Sequence, residues 1–580
     1  MASTTIPSAR GGVARMLLVL TLLAGTLLIA ATPIAAGTHG PGSPTGLAAR
    51  TVDVQLLAIN DFHGNIEPPS GSSARVLTEA GAVENNGGVE YLATHIRNLE
   101  ATNPNTLTVA AGDLIGASPL ISGYFHDEPT IEAMNALGLD ISSVGNHEFD
   151  EGYAELLRMQ NGGCHPTDGC QDGDGFAGAD FQYLSANVVY AGTDETVFPA
   201  YTVRQFKGAK IAFVGMTLEG TPAIVTPIGS AGLEFRDEAE TVNALVPQLQ
   251  AQGIESIVIL LHEGLVQTPS SQAFLNTCNG ASGALIDIVA NLDPAIDMVI
   301  SGHTHAQYNC ALPNSAGDPI AVSSAASFGR VLTEVDMKID RATKDIYEIA
   351  VNNHIVTRDV AADPAETAIV AKYAAAVAEV RNAVVGSITE DLLREQVVDE
   401  STLGNVIADA QLEATTGLSA QFAVMNPGGI RADILCEAGE ASPCDVTFGE
   451  VFASQPFQND LVTLTLTGAA IDDVLEQQFE VDRFLSVSAT LSYSYDASAP
   501  LGEKVPDDSI LLNGTPIDPA ATYRVTGNAF LVSGTGDGFT VFAQATDRTI
   551  GMVDSQALVN YFGAHSPIAP PALDRVNLLP

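Results

Sequence analysis

The stretch Gly145-Asn146-His147-Glu148-Phe149-Asp150 decides how the chain is read. It follows Ile141-Ser142-Ser143-Val144, an apolar run whose length suits a short buried strand. Asn146 offers an amide oxygen to a hard cation. His147 can bind a metal or carry a proton beside one. Asp150 is close enough to hold the His147 ring in one tautomer. Alone, such a string is as readily a surface loop, but the pattern recurs. Val54 to Asn60 leads into Asp61-Phe62-His63-Gly64-Asn65, and Leu107 to Gly112 leads into Asp113. Ser256 to Leu261 leads into His262, and Asp297 to Gly302 leads into His303-Thr304-His305. A single Asp or His after a strand is ordinarily a cap. A series of apolar runs ending in Asp, Asn or His, most beside a Gly, points to strand ends that meet. In open α/β sheets ligands bind beyond the carboxyl ends of the strands.

Asp61, His63, Asp113, Asn146, His262, His303 and His305 are hard or borderline O and N donors with no cysteine among them. That excludes a soft structural zinc site. They are too many for a single open hydrolytic metal, which needs about three protein ligands. Two divalent cations sharing a bridging carboxylate use the whole set.

The chain is 580 residues long, enough for two domains or more. Arg10 and Arg15 precede the apolar run Met16 to Ala31, and Ala35-Ala36 suits cleavage, so residues 1–36 read as a secretory signal. Residues 37–50, rich in Gly, Pro, Ser and Thr, read as a flexible leader. From 51 to 358 strands alternate with helical segments at Glu128 to Leu137, Gly152 to Met159, Asp237 to Gln252 and Ser282 to Asn291, the pattern of a layered α/β domain. Residues 359–385 form a linker, Ala-rich and helical from Asp363 to Val384. A second α/β domain covers 386–576. No later stretch is long and apolar enough to span a membrane, and the C-terminus shows no hydrophobic tail for a lipid anchor. No stable membrane insertion is therefore expected once the signal is cleaved.

The six cysteines fit an exported protein. Sequence does not set their connectivity; pairing of near neighbours (Cys164 with Cys170, Cys278 with Cys310, Cys436 with Cys444) is the simplest arrangement. Asp172-Gly173-Asp174-Gly175 is too short for a full calcium loop and reads as a solvated turn. The formal net charge of −45 leaves no basic stripe for a nucleic-acid duplex. An anionic substrate then needs a locally positive site, which metals and a few arginines can make.

In this order, D-x-H-G-N, G-D, G-N-H-E-x-D, H and G-H-x-H resemble the calcineurin-like metallophosphoesterases. With Asn426-Pro427-Gly428-Gly429-Ile430-Arg431 and Gly536-Asp537-Gly538-Phe539 further on, the chain from about 51 to 570 resembles the secreted and periplasmic 5′-nucleotidase family, which includes UDP-sugar hydrolases. The resemblance implies a four-layer metallophosphoesterase sandwich joined by a helix to a second, substrate-binding α/β domain. It implies two divalent ions (Zn, Mn or Co), one on Asp61, His63 and His305, the other on Asn146, His262 and His303, with Asp113 bridging. It makes His147 and Asp150 the catalytic dyad. Asn426 and Arg431 contact substrate, and Phe457 and Phe539 clamp the base. The expected activity is release of phosphate from nucleoside 5′-monophosphates, and from UDP-sugars as a second class, outside the cell or in the periplasm. The alternatives are a 2′,3′-cyclic-nucleotide phosphodiesterase/3′-nucleotidase, and a nucleotide-binding surface protein without catalysis. The chain departs from the pattern at one place. A second phosphate-binding arginine found in some relatives just before Gly404-Asn405 is replaced by Val397, Val398 and Asp399, with Arg394 further upstream. His126, His165, His354 and His565 lack the pattern and receive no role, and Arg330 reads as structural.

Overall fold

The computed structural model describes residues 50–225, 229–397, 399–436, 441–534 and 536–579. The signal and nearly all of the leader lie outside the described residues, as does Val398. The first half is built on two mixed six-stranded sheets. One runs in the order Asp345–Ile355, Val331–Asp340, Thr51–Ile59, Thr106–Ala110, Ile141–Ser143, Gln182–Leu184. The other runs Gln307–Pro313, Pro319–Ala325, Met298–Ser301, Ser256–His262, Ala209–Thr217, Tyr201–Phe206. The strands that carry the motif ends are parallel within each sheet, so those ends share an edge.

Alternation along the strands makes the layers, because successive side chains point to opposite faces. Leu56 and Ala58 enter a core shared with Val258 and Leu260 of the other sheet. Their neighbours Leu57 and Ile59 face helices on one outer side, and Ile257, Ile259 and Leu261 face helices on the other. The result is four layers, helix, sheet, sheet, helix. The helices fall close to their expected spans, at Glu128–Leu137, Tyr153–Asn161, Glu238–Ala251 and Ala284–Ala290. Asp237 starts the third by accepting the Glu240 N–H at 2.6 Å.

The linker is the helix Pro364–Arg381, capped by Asp363. It does not stand free. Tyr373 and Val377 are buried in the first-half core. The Lys372 ammonium lies 2.8 Å from Asp172 and 3.1 Å from Asp174, so the loop considered for calcium is filled by a protein cation. The second half has a five-stranded sheet in the order Ser486–Val487, Phe422–Met425, Thr522–Asn528, Asp460–Thr467, Thr546–Val553. Separate cores lie on either side of it. The cysteines pair as near neighbours, Cys164–Cys170, Cys278–Cys310 and Cys436–Cys444. No helix among the described residues is long and apolar enough to cross a membrane.

Candidate metal centre and substrate cavity

The strand ends of both sheets bring the motif residues together. Asp61, His63 and His305 place donor atoms within 4.8 Å of one another, and Asp113, His262 and His303 do the same. Asp113 lies between these sets, its Oδ2 being 3.6 Å from His63 Nε2 and 3.0 Å from His262 Nε2. Asn146 Oδ1 is 3.0 Å from His303 Nδ1. These spacings are those of ligand edges around ions with bonds of ~2.0–2.2 Å.

Two observations show that the donors fit cations. His262 Nδ1 faces the Ala111 carbonyl at 2.7 Å and must carry the proton there. Its buried Nε2 faces Asp113 Oδ2 at 3.0 Å but makes no well-aligned hydrogen bond among the described residues. His63 likewise uses Nδ1 on the Gly116 carbonyl at 2.9 Å. Its bare Nε2 then points at His305 Nε2, 3.0 Å away, a pairing of ring nitrogens that a cation reconciles. Burial pushes His63 and His303 down to about 3 and His305 well below its ordinary value, which favours the neutral rings that a cation can use. Burial also opposes charge on His262, but Asp113 and Asp61 outweigh it and push that group up to about 10. The buried carboxylates draw positive charge to this spot.

The backbone is held out of its ordinary range to do this. Asp61, His63, Asp113, His303 and His305 have φ of 49°, 48°, 51°, 69° and 55°. Such left-handed residues cost of order 1–3 kcal/mol each and persist where the surroundings enforce them. Neighbouring glycines permit the crowding. A Cβ at Gly145 would sit 2.1 Å from Asp113 Oδ1, and one at Gly302 2.8 Å from the Ala111 carbonyl.

His147 Nδ1 is 2.8 Å from Asp150 Oδ2, and its backbone N–H donates to Asp113 Oδ1 at 2.9 Å. Burial disfavours its charge, yet Asp150 and Asp113 hold its pKa above the usual value. His147 also falls within 4.8 Å of His63 and Asp113 as a donor.

His147 and Asp150, with Asp113, Asn146, His303 and His305, open into a cavity of about 390 Å³ shared with the second half. Asn426, Arg431 and Phe457 line it. Asn426 is fixed by donating to Asp537 at 2.6 Å and accepting from Asn528 at 2.8 Å. Phe457 stacks on His147 with ring centroids 5.6 Å apart, and the Arg431 guanidinium lies 5.8 Å from the Phe457 ring centre. Phe539 is a correction. Its ring is fully buried in the second-half core beside Phe542 and does not reach the cavity. Phe530 lines the cavity instead. It follows the strand Thr522–Asn528, which is parallel to Phe422–Met425. The strand-end logic used for the first half would therefore have found it. Arg394 does not line this cavity. It donates to the Ile430 and Arg431 carbonyls and so braces the Arg431 loop.

Two supporting residues carried no sequence signal of their own. Glu148 is buried and accepts the backbone N–H groups of Asp113, Leu114 and Gly145 at 2.9, 2.8 and 2.6 Å. Asn60 donates to Asp61 Oδ2 at 2.5 Å and accepts the Ala325 N–H at 2.7 Å. Both aim the metal donors.

This fold and this site define a metal-dependent phosphoester hydrolase. The calcineurin-like phosphoesterase profile matches residues 54–307, and the 5′-nucleotidase C-terminal domain profile matches 384–544. The chain is 31% identical to cell wall protein Lmo0130 of Listeria monocytogenes, over 92% of this chain and 70% of that protein. It is 32% identical to endonuclease YhcR of Bacillus subtilis over 91% of this chain, but it spans only 41% of that longer protein. The crystal structure of a 5′-nucleotidase precursor from Thermus thermophilus superposes with a TM-score of 0.73 at 26% identity, covering 91% of this chain and 99% of that one. The chain belongs to the 5′-nucleotidase family of calcineurin-like metallophosphoesterases.

Proposed function

We propose that the protein hydrolyses nucleoside 5′-monophosphates to nucleoside and phosphate outside the cytoplasm, with UDP-sugars as a second substrate class. The observation that carries the reading is the single cavity in which the metal donors and dyad meet Arg431, Phe457 and Phe530. The three disulfides support an oxidising compartment. In this reading residues 51–358 do the chemistry, 386–576 hold the nucleotide and 359–385 join them.

Asp61, His63 and His305 would hold one divalent ion, Asn146, His262 and His303 the other, with Asp113 shared. The chemistry supplied by ions bound there is Lewis acidity, which activates water and offsets charge on the phosphoryl oxygens. Arg431 adds a fixed positive charge for the same oxygens. His147, held through Nδ1 by Asp150, keeps its proton and presents it from Nε2 as the ester bond breaks. Phe457 and Phe530 take the faces of the base, and Asp537 with Asn426 offers acceptors to sugar hydroxyls.

The test is a kcat/KM comparison of AMP, UDP-glucose, 2′,3′-cyclic AMP and duplex DNA with Mn²⁺, Co²⁺ or Zn²⁺ present. AMP is expected to rank first. A higher value for the cyclic nucleotide would transfer the site to the phosphodiesterase reading. Preference for duplex DNA would overturn the nucleotide reading in favour of an endonuclease, the word in the Bacillus relative's name, despite the net charge of −45.

A further inference from the structure

A second cluster of metal-type donors lies apart from the centre described above. It joins His126, Glu151, Glu155, His165 and Asp168. His126 sits just before the helix Glu128–Leu137 in a left-handed conformation, φ 52°. Glu151 precedes the helix Tyr153–Asn161, and Glu155 lies in its first turn. His165 and Asp168 lie inside the loop closed by Cys164–Cys170. The two imidazoles stack with centroids 3.8 Å apart and planes 17° from parallel. Their side chains are only 18% and 15% exposed.

The hydrogen bonding sorts the ring nitrogens. His126 Nε2 is 2.9 Å and His165 Nδ1 is 3.2 Å from the same oxygen, Asp168 Oδ2. Asp168 thus holds both rings, its carboxylate accepting from His126 Nε2 and its backbone N–H donating to His165 Nδ1. That fixes both rings and turns His126 Nδ1 toward Glu151, with a carboxylate behind the ring as behind many histidine ligands. On the far edge, His126 Nδ1 is 2.9 Å from Glu151 Oε2. One donor atom each from His126, Glu151, Glu155 and His165 lies within 4.8 Å of all the others. Glu155 is steadied by Arg158, whose Nη2 is 2.6 Å from its Oε1.

We propose that His126, His165, Glu151 and Glu155 form a separate structural site for a divalent transition metal, with Asp168 as the positioning carboxylate. Two imidazoles and two carboxylates make a closed set of borderline donors, which suits zinc. The ion joins three segments that are distant in sequence. It ties the disulfide loop to Glu151, the neighbour of the dyad residue Asp150. It also ties it to His126, whose neighbour Asp127 accepts the Gly116 N–H at 3.0 Å. Gly116 in turn accepts from His63. The site would therefore steady the loops beneath the dyad without touching substrate.

The experiment counts zinc per chain in the full-length protein after saturation and desalting, for wild type and for the His126→Ala/His165→Ala double variant. The wild type is expected to hold one more ion per chain than the variant, whatever the count at the main centre. Hydrolysis of p-nitrophenyl phosphate by the zinc-saturated variant should stay within about threefold of wild type, since the dyad and its metal donors are untouched. Asp168→Asn keeps every proposed ligand and should weaken this ion about 10–100-fold, the usual effect of losing a carboxylate behind a metal-bound histidine. It serves as the second reading should the double variant not fold. Equal zinc counts in wild type and double variant, or unchanged zinc affinity at this site in Asp168→Asn, would overturn the proposal and leave an ion-paired histidine cluster.

Discussion

At the scale of single residues, the proposed function separates groups that would hold ions from groups that would act on substrate, and substitution should separate them too. Asp113→Ala removes the carboxylate that faces both donor sets, and metal content and hydrolysis should fall together. His147→Ala should keep both ions while kcat falls about a hundredfold or more, the scale of a positioned acid or base. Metal analysis beside steady-state kinetics checks the pair. Loss of an ion from His147→Ala would make His147 a ligand, as its position within 4.8 Å of His63 and Asp113 allows. The clustering of these Asp, Asn and His side chains was legible in the sequence because they sit at or just after the ends of apolar runs. Glu148 was not, although it stands inside the deciding motif. Its work is to accept three backbone N–H groups, and an acid between His147 and Phe149 carries no mark of that. The left-handed backbone of the ligands was equally hidden, since only the closed site enforces it.

At the scale of elements, spans were legible where periodicity and caps agree, as at Glu128–Leu137 and at the helix capped by Asp237. Packing partners were not. The linker helix shows this. Its sequence reads as a connecting helix and does not mark which face packs, yet Tyr373 and Val377 complete the first-half core. On the same helix Glu366 is buried, and neither carboxylate oxygen has a hydrogen-bond partner among the described residues. Burial pushes its pKa up to about 8, against the pull of Arg97. The folded value lies above the ordinary one, so the fold favours the protonated group. This contribution is complete below the ordinary carboxylate range and is lost as pH rises through about 8. Glu366→Gln stays neutral. Its melting temperature should therefore fall less than that of the wild type between about pH 6 and about pH 9. Parallel losses in the two proteins would show that Glu366 ionises freely.

At the scale of the whole molecule, one cavity draws on both halves, and the aromatic residues show how the halves differ in legibility. Phe539 sits beside a Gly-Asp-Gly motif and reads as a site residue from sequence, but it fills a core. Phe530 has no motif of its own and faces the cavity. Phe539→Ala should cost about 3–5 kcal/mol of stability, as truncating a buried aromatic does. Phe530→Ala should leave the fold intact and weaken use of AMP about tenfold to a hundredfold, the worth of about 1–3 kcal/mol for stacking one base. It should spare p-nitrophenyl phosphate, which has no base. Melting curves and kcat/KM on the two substrates check this, and equal losses on both would remove Phe530 from base recognition. The join between the halves has its own consequence. The positive charge that fills the Asp172–Asp174 loop belongs to Lys372 of the connecting helix, so it travels with the chain and cannot be diluted, exchanged or chelated away. The connector is thus seated by a charge of its own chain, with no ion drawn from the surroundings.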